Sequence, residues 1–231
     1  AVGYNSRHRF LVSGSADGTV KGWRAEGLLD TDGSGPGGGE EKEQDLESVH
    51  DYRRESSPDE QGVAISIANN PRNEDHFFAL CDSGTFVDFD IASQAAALDV
   101  LVPSEHNSGA SFASRAPSCL AVHPTFPLAV VGHLNSVLTA LDVNRGKPVF
   151  QVPAQDIPVV SVTFDGTGLY VVTGGADGGC RVWDLRKMRG VCENRFDGSK
   201  FGNRSVHVAA NPCKEIVAVG CVEGRVSLLS L

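Results

Sequence analysis

One twelve-residue pattern occurs twice in this chain. Val12 to Trp23 reads VSGSADGTVKGW, and Val172 to Trp183 reads VTGGADGGCRVW. Each copy holds a β-type run, an Asp-Gly turn, a second β-type run and a tryptophan. Glycine accepts φ > 0, so a short Asp-Gly loop between two such runs is a strong hairpin signal. A repeated unit constrains the fold more than any single motif, because missing it misassigns the whole architecture.

Weaker copies fall into the same register. Leu80 to Asp90 (LCDSGTFVDFD), Val131 to Asp142 (VGHLNSVLTALD) and Val219 to Leu229 (VGCVEGRVSLL) place Phe89, Leu141 and Leu229 where the tryptophans stand. Positions 23, 89, 141, 183 and 229 are separated by 66, 52, 42 and 46 residues. The last two intervals lie near the period of about 40–45 residues for WD-type propeller blades; the first two carry insertions. A further strand is expected before each hairpin, over Val63 to Ala68, Ser118 to Val122, Val159 to Phe164 and Ser205 to Ala210. Turn residues follow at Asn70-Pro71, His123-Pro124, Asp165-Gly166 and Asn211-Pro212. A fourth strand is expected over Ala96 to Leu101, Pro148 to Val152 and Val191 to Phe196. Four short strands per unit without helical periodicity describe an all-β WD-repeat β-propeller. About four and a half blades are present over residues 1–231, and the chain reads as part of a larger ring with blades upstream.

Composition agrees with that reading. The 231 residues include 26 glycines and one methionine, and 41% are hydrophobic. The net charge of −9 is local: Glu26 to Glu60 holds twelve Asp/Glu and three Lys/Arg, while the rest has seventeen of each. The acidity argues against nucleic acid as a partner. The Gly/Ser-rich run from Asp32 to Gly39 lacks the Gly-Lys-Ser/Thr of a phosphate loop. Residues 27–60 are expected to form a disordered acidic insertion. The six cysteines show no zinc-type spacing and read as reduced thiols of a cytoplasmic protein. No apolar run reaches the roughly 18 residues of a membrane span, so no direct membrane insertion is expected.

The family resemblance rests on longer stretches. His123 to His133 (HPTFPLAVVGH), the run VSVTFDGTGLYVVTGGADGGCRVWDL ending at Leu185, and Ser199 to Pro212 (SKFGNRSVHVAANP) occur in order. Together they resemble the carboxy-terminal WD-repeat domain of striatin-family scaffold proteins. The resemblance implies a noncatalytic protein-interaction scaffold. It would assemble a 2A-type protein phosphatase with kinases and adaptors in a STRIPAK-like signalling complex. Phosphatase contact, oligomerisation and calmodulin binding in that family are associated largely with regions upstream of the propeller. One departure matters: Gln155 stands where the best repeat usually has histidine, so a full His–Ser/Thr–Asp–Trp hydrogen-bonded set is not expected there. A generic WD substrate receptor or adaptor, for example of a ubiquitin ligase, is the alternative. A propeller enzyme would need a convergent polar or metal constellation in its channel.

The chemistry-bearing residues fit an interaction module. Asp17 with Gly18 and Asp177 with Gly178 read as turn residues, because aspartate beside glycine bonds its own backbone. Trp23 and Trp183 read as blade packing. Neither aspartate has a second carboxylate at acid/base spacing. The scattered histidines form no ligand motif, and no G-x-S-x-G occurs. No enzyme activity, cofactor or metal is expected. Loops joining consecutive blades carry the candidate partner-binding residues His106, Phe112, Arg115, Lys200, Phe201 and Arg204, of types enriched at interfaces. Ser56 and Ser57, after Arg53-Arg54 and before Pro58, are candidate phosphorylation sites.

Overall fold

Short β-branched and aromatic runs punctuated by turn residues form nineteen strands in five antiparallel sheets among the described residues. The structure, a computed structural model, describes residues 1–5, 10–15, 17, 19–24, 48–52, 62–93, 95–102, 116–154, 157–187, 189–195, 206–222 and 224–231. The first blade contains β1 (Val2–Asn5), β2 (Phe10–Gly14), β3 (Val20–Arg24) and β4 (Ser48–Tyr52). The second contains β5 (Ala64–Asn69), β6 (His76–Cys81), β7 (Thr85–Asp90) and β8 (Ala95–Leu101). The third contains β9 (Pro117–Val122), β10 (Leu128–His133), β11 (Val137–Asp142) and β12 (Lys147–Pro153). The fourth contains β13 (Val159–Phe164), β14 (Tyr170–Gly175), β15 (Gly179–Asp184) and β16 (Arg189–Arg195). The fifth has three strands: β17 (Val206–Ala210), β18 (Ile216–Cys221) and β19 (Val226–Ser230).

Strands follow chain order within every sheet. The first strands touch in succession, β1 to β5 to β9 to β13 to β17, which arranges the sheets as the blades of a propeller. Residues 23, 89, 141, 183 and 229 pair with the equivalent second-strand residues Leu11, Phe77, Ala129, Val171 and Val217. In all four four-stranded blades a bulge falls immediately before that third-strand residue on pairing with the fourth strand. Thus the repeat in sequence is a repeat in hydrogen-bond register.

The first blade differs from the sequence expectation. The span 27–60, expected as one disordered insertion, contains β4. This strand pairs with β3 through Val20↔Tyr52, Lys21↔Asp51, Gly22↔His50 and Trp23↔Ser48. The acidic composition of the span hides a five-residue strand at its far end. The other residues of the span lie outside the described residues.

Packing explains why the second strands are apolar at nearly every position. Successive side chains point to opposite faces, and each inner blade has a neighbour on both sides. Phe77 faces the core shared with the first blade, beside Val12 and Val87, while Phe78 faces the core shared with the third, beside Leu120 and Leu141. Val171 and Val172 likewise divide between the third-to-fourth and fourth-to-fifth cores. Phe89 and Leu141, at the tryptophan register, are 3% and 0% exposed. The Phe77 and Phe89 rings stack with centroids 5.2 Å apart.

His123 joins the third blade to the fourth. Its Nδ1 accepts from the backbone amides of Thr125 (3.0 Å) and Phe126 (2.9 Å), which places its proton on Nε2. The ring meets Phe164 of β13 edge-on at 5.1 Å. It also presses on Gly168, whose φ of +75° and lack of a side chain leave room for it. Burial lowers the His123 pKa, although the Gly168 backbone and Asp165 pull the other way.

Two expectations follow from this packing. Trp183 contributes to the core between the third and fourth blades, and its Nε1 donates to Thr173 Oγ1 at 3.3 Å. Trp183→Ala should cost about 3 kcal/mol in urea unfolding, and Trp183→Phe about 1 kcal/mol. An alanine variant within about 0.5 kcal/mol of the parent would contradict the packing role. Because the folded His123 pKa is depressed, its contribution is fully present above the ordinary value of 6.5 and is lost as pH falls through the folded value. Thermal melts from about pH 7.5 to about pH 5 should therefore show a steeper loss of Tm for the parent than for His123→Asn. Asparagine is the natural replacement because Asn70 and Asn211 cap the equivalent turns. Equal slopes would contradict the role of His123.

Candidate functional site

Three kinds of tight turn connect the strands within the second, third and fourth blades, the first and fifth share some of them, and aspartate or an equivalent acceptor holds most of those described. Between second and third strands, Asp17 Oδ1 accepts from Thr19 N (2.9 Å) and Thr19 Oγ1 (2.7 Å), and these bonds lower its pKa. Asp177 Oδ1 accepts from Gly179 N at 2.7 Å, and Gly178 between them has φ +85°. Gly84, Ser136 and Gly224 hold the same positive-φ place in the other described turns. Trp23 Nε1 donates to Ser13 Oγ at 2.7 Å. Gly18 and Gln155 lie outside the described residues.

Sequence reading did not single out the aspartates that follow the register residues. Asp90, Asp142 and Asp184 each accept from a backbone amide two residues on, at 2.8, 2.9 and 2.9 Å, and close the turn into the fourth strand. Hydrogen bonds from Arg186 hold the Asp184 carboxyl below its usual range. Their signal was present in the sequence, one residue after the aligned tryptophan, phenylalanine or leucine. Between first and second strands, Asn70, His123, Asp165 and Asn211 occupy one register position and accept from the turn amides. These acidic groups therefore serve the backbone.

Other titratable groups are similarly engaged. His76 Nδ1 and Asp88 Oδ1 are 3.0 Å apart, and burial raises the Asp88 pKa. His133 is buried with Nε2 3.0 Å from Thr139 Oγ1. None of the six cysteines is in a disulfide, and burial pushes the Cys119 and Cys180 thiols up to about 11. Among the described residues, no group of three or more His, Cys, Asp and Glu is arranged to hold a metal ion. No helix among them is long and apolar enough to cross a membrane.

The expected contact residues His106, Phe112, Arg115, Lys200, Phe201 and Arg204 lie outside the described residues, as do Ser56 and Ser57. The structure instead reveals a surface that no sequence motif marked. A cleft of about 370 Å³ opens between the third and fourth blades. Its walls include Phe126, Val149, Leu169 and Leu185, with His123 and Arg186 alongside. It lies beside the turns joining first to second and third to fourth strands, on the face opposite the turns joining second to third strands. Phe126 and Val149 are 65% and 60% exposed, unusual for large apolar side chains on adjoining turns and strands.

Known proteins resemble this chain in the same terms. A family model for the WD domain, G-beta repeat, matches residues 1–24 and 146–184. Striatin of Mus musculus is 26% identical over 94% of this chain and 25% of its own length. Striatin-3 of Bos taurus is 23% identical over 94% of the chain and 24% of its own. Striatin-4 of Homo sapiens is 28% identical over 90% of the chain and 24% of its own. The chain thus spans about a quarter of the length of these curated relatives. With its repeat register and five-bladed sheet order, the chain is a WD-repeat β-propeller similar over nearly its whole length to the striatins.

Proposed function

We propose that this propeller is a noncatalytic protein-binding module of a striatin-type scaffold in the cytoplasm, one that assembles a 2A-type protein phosphatase with kinases and adaptors. The observation that carries this reading is the colinear similarity to striatins along 94% of the chain, across blades and connecting loops alike. The engagement of Asp17, Asp177 and Asp184 in turns supports a role in contact and not in acid/base chemistry. Six cysteines without a disulfide support a reducing compartment. The inter-blade loops with His106, Phe112, Arg115, Lys200, Phe201 and Arg204 supply part of the partner surface in this reading, and Ser56 and Ser57 supply sites for regulation by kinases. Aromatic and arginine side chains dominate many interfaces, each contributing about 2 kcal/mol or more at a central position.

Affinity purification of the full-length protein, with and without residues 1–231, tests this reading. The phosphatase catalytic subunit and at least one kinase should be recovered with the full-length protein. Loss of the propeller should remove a subset of adaptors or kinases while the phosphatase stays. A triple alanine replacement of Lys200, Phe201 and Arg204 should remove part of the same subset. Recovery of a ubiquitin-ligase adaptor in place of phosphatase and kinase would contradict the reading.

A further inference from the structure

The cleft between the third and fourth blades combines features that do not arise from blade packing alone. Its apolar walls remain open to solvent: Phe126 projects from the turn between β9 and β10, Val149 from β12 and Leu169 from the turn between β13 and β14. Leu185, at the turn after β15, joins the same walls. The enclosed cores between blades bury residues of this kind almost fully. Here they line a concave space of about 370 Å³, within the range of about 300–1,000 Å³ that binding clefts occupy.

The rim is cationic, although the chain as a whole carries −9. Arg186 lines the cleft and Lys187 follows it; both reach the Asp184 carboxylate, at 3.0 and 4.0 Å, and keep their outer faces in water. Arg145 reaches Asp142 at its edge, with Nε 3.8 Å from Oδ2, and Lys147 pairs with Asp142 across the ladder. Arg189 lines the adjoining void under Leu185. Against these five cations stand the carboxylates of Asp142, Asp165 and Asp184, each of which also accepts turn amides. Arg145, Arg186 and Lys187 side chains are 79%, 56% and 59% exposed. An excess of exposed cations around an open apolar cleft complements a ligand with an apolar centre and an acidic periphery.

We propose that this cleft docks an acidic peptide segment of a partner protein, which inserts an aromatic or branched aliphatic side chain between Phe126, Val149 and Leu169. Carboxylates flanking that anchor meet Arg145, Arg186 and Lys187. The contact uses the face opposite the turns joining second to third strands, so one propeller can hold this segment and leave that other face to a second protein. The inference rests on the cleft itself and is independent of the scaffold reading above.

The test uses the full-length protein and a fluorescein-labelled synthetic peptide with phenylalanine and leucine at its centre and glutamates on both flanks. A second version carries a photo-crosslinking phenylalanine at the centre. Anisotropy should show saturable binding that weakens with added salt, and lysine-flanked or alanine-centred peptides should bind at least about tenfold more weakly. The crosslink should map to residues 123–128, 142–149 or 167–187. Val149→Glu places a carboxylate in the exposed wall and should weaken binding at least about tenfold. If Val149→Glu fails to fold, the paired exposed reversals Arg145→Glu and Lys187→Glu should weaken it comparably. Absence of binding, unchanged affinity in the folded variants, or crosslinks confined elsewhere would overturn the proposal. So would binding that appears only after deletion of residues 30–45, which would assign the cleft to the chain's own acidic segment. Self-association abolished by Val149→Glu would assign it to a second copy and overturn the proposal equally.

Discussion

The whole architecture depends on the division of each inner second strand between two cores. In β6, β10 and β14, neighbouring residues face opposite blades, so one short strand stitches three sheets together. A four-stranded sheet cannot bury both faces alone, and stacking several such sheets forms a continuous series of cores. Burial of apolar area contributes about 25 cal/mol per Å², and here it is distributed over four successive interfaces. The outer strands carry less of it: Val149 on β12 and Val191 on β16 stand largely in water.

That division also explains how the blades tolerate a degenerate repeat. Trp23 and Trp183 donate to Ser13 and Thr173, whereas Phe89 and Leu141 at the same register have no such donor and are more completely buried. Polar bonding and apolar packing are therefore interchangeable at this position, provided that the residue fills its place. The turns are less tolerant. Each must satisfy clustered backbone amides, and asparagine, histidine and aspartate all do so with a side-chain acceptor at the right distance.

Much of this was legible in the sequence, for identifiable reasons. The register of residues 23, 89, 141, 183 and 229 emerged because hairpin turns and strand periodicity are local properties. The expected strands over 118–122 and 159–164 coincide with β9 and β13 to within a residue, since Asn, His and Asp turn residues punctuate them. β1 and β4 were not legible: the first is only four residues, and the second lies at the end of an acidic, glycine-rich span. The cleft was invisible for a different reason. Phe126, Val149, Leu169 and Arg186 belong to four separate connections and strands, and only the stacking of two blades brings them together. Phe126 in particular lies within HPTFPLAVVGH, a stretch informative about family but silent about exposure.

The resulting molecule separates support from contact. Alternating apolar residues hold the sheets in order, acceptor side chains close the turns, and the surfaces left over carry the arginines, lysines and exposed aromatic groups. Stability should therefore depend on whether an apolar residue faces a neighbouring blade, and not on its membership of a strand. The direct measurement is urea unfolding of Leu141→Ala and Val191→Ala in the full-length protein. Leu141 on β11 is 0% exposed in the core between the second and third blades, while Val191 on the outer strand β16 is 57% exposed. Leu141→Ala should cost about 2–5 kcal/mol, and Val191→Ala should stay within about 0.5 kcal/mol of the parent. Equal losses, or a larger loss for Val191→Ala, would contradict the account.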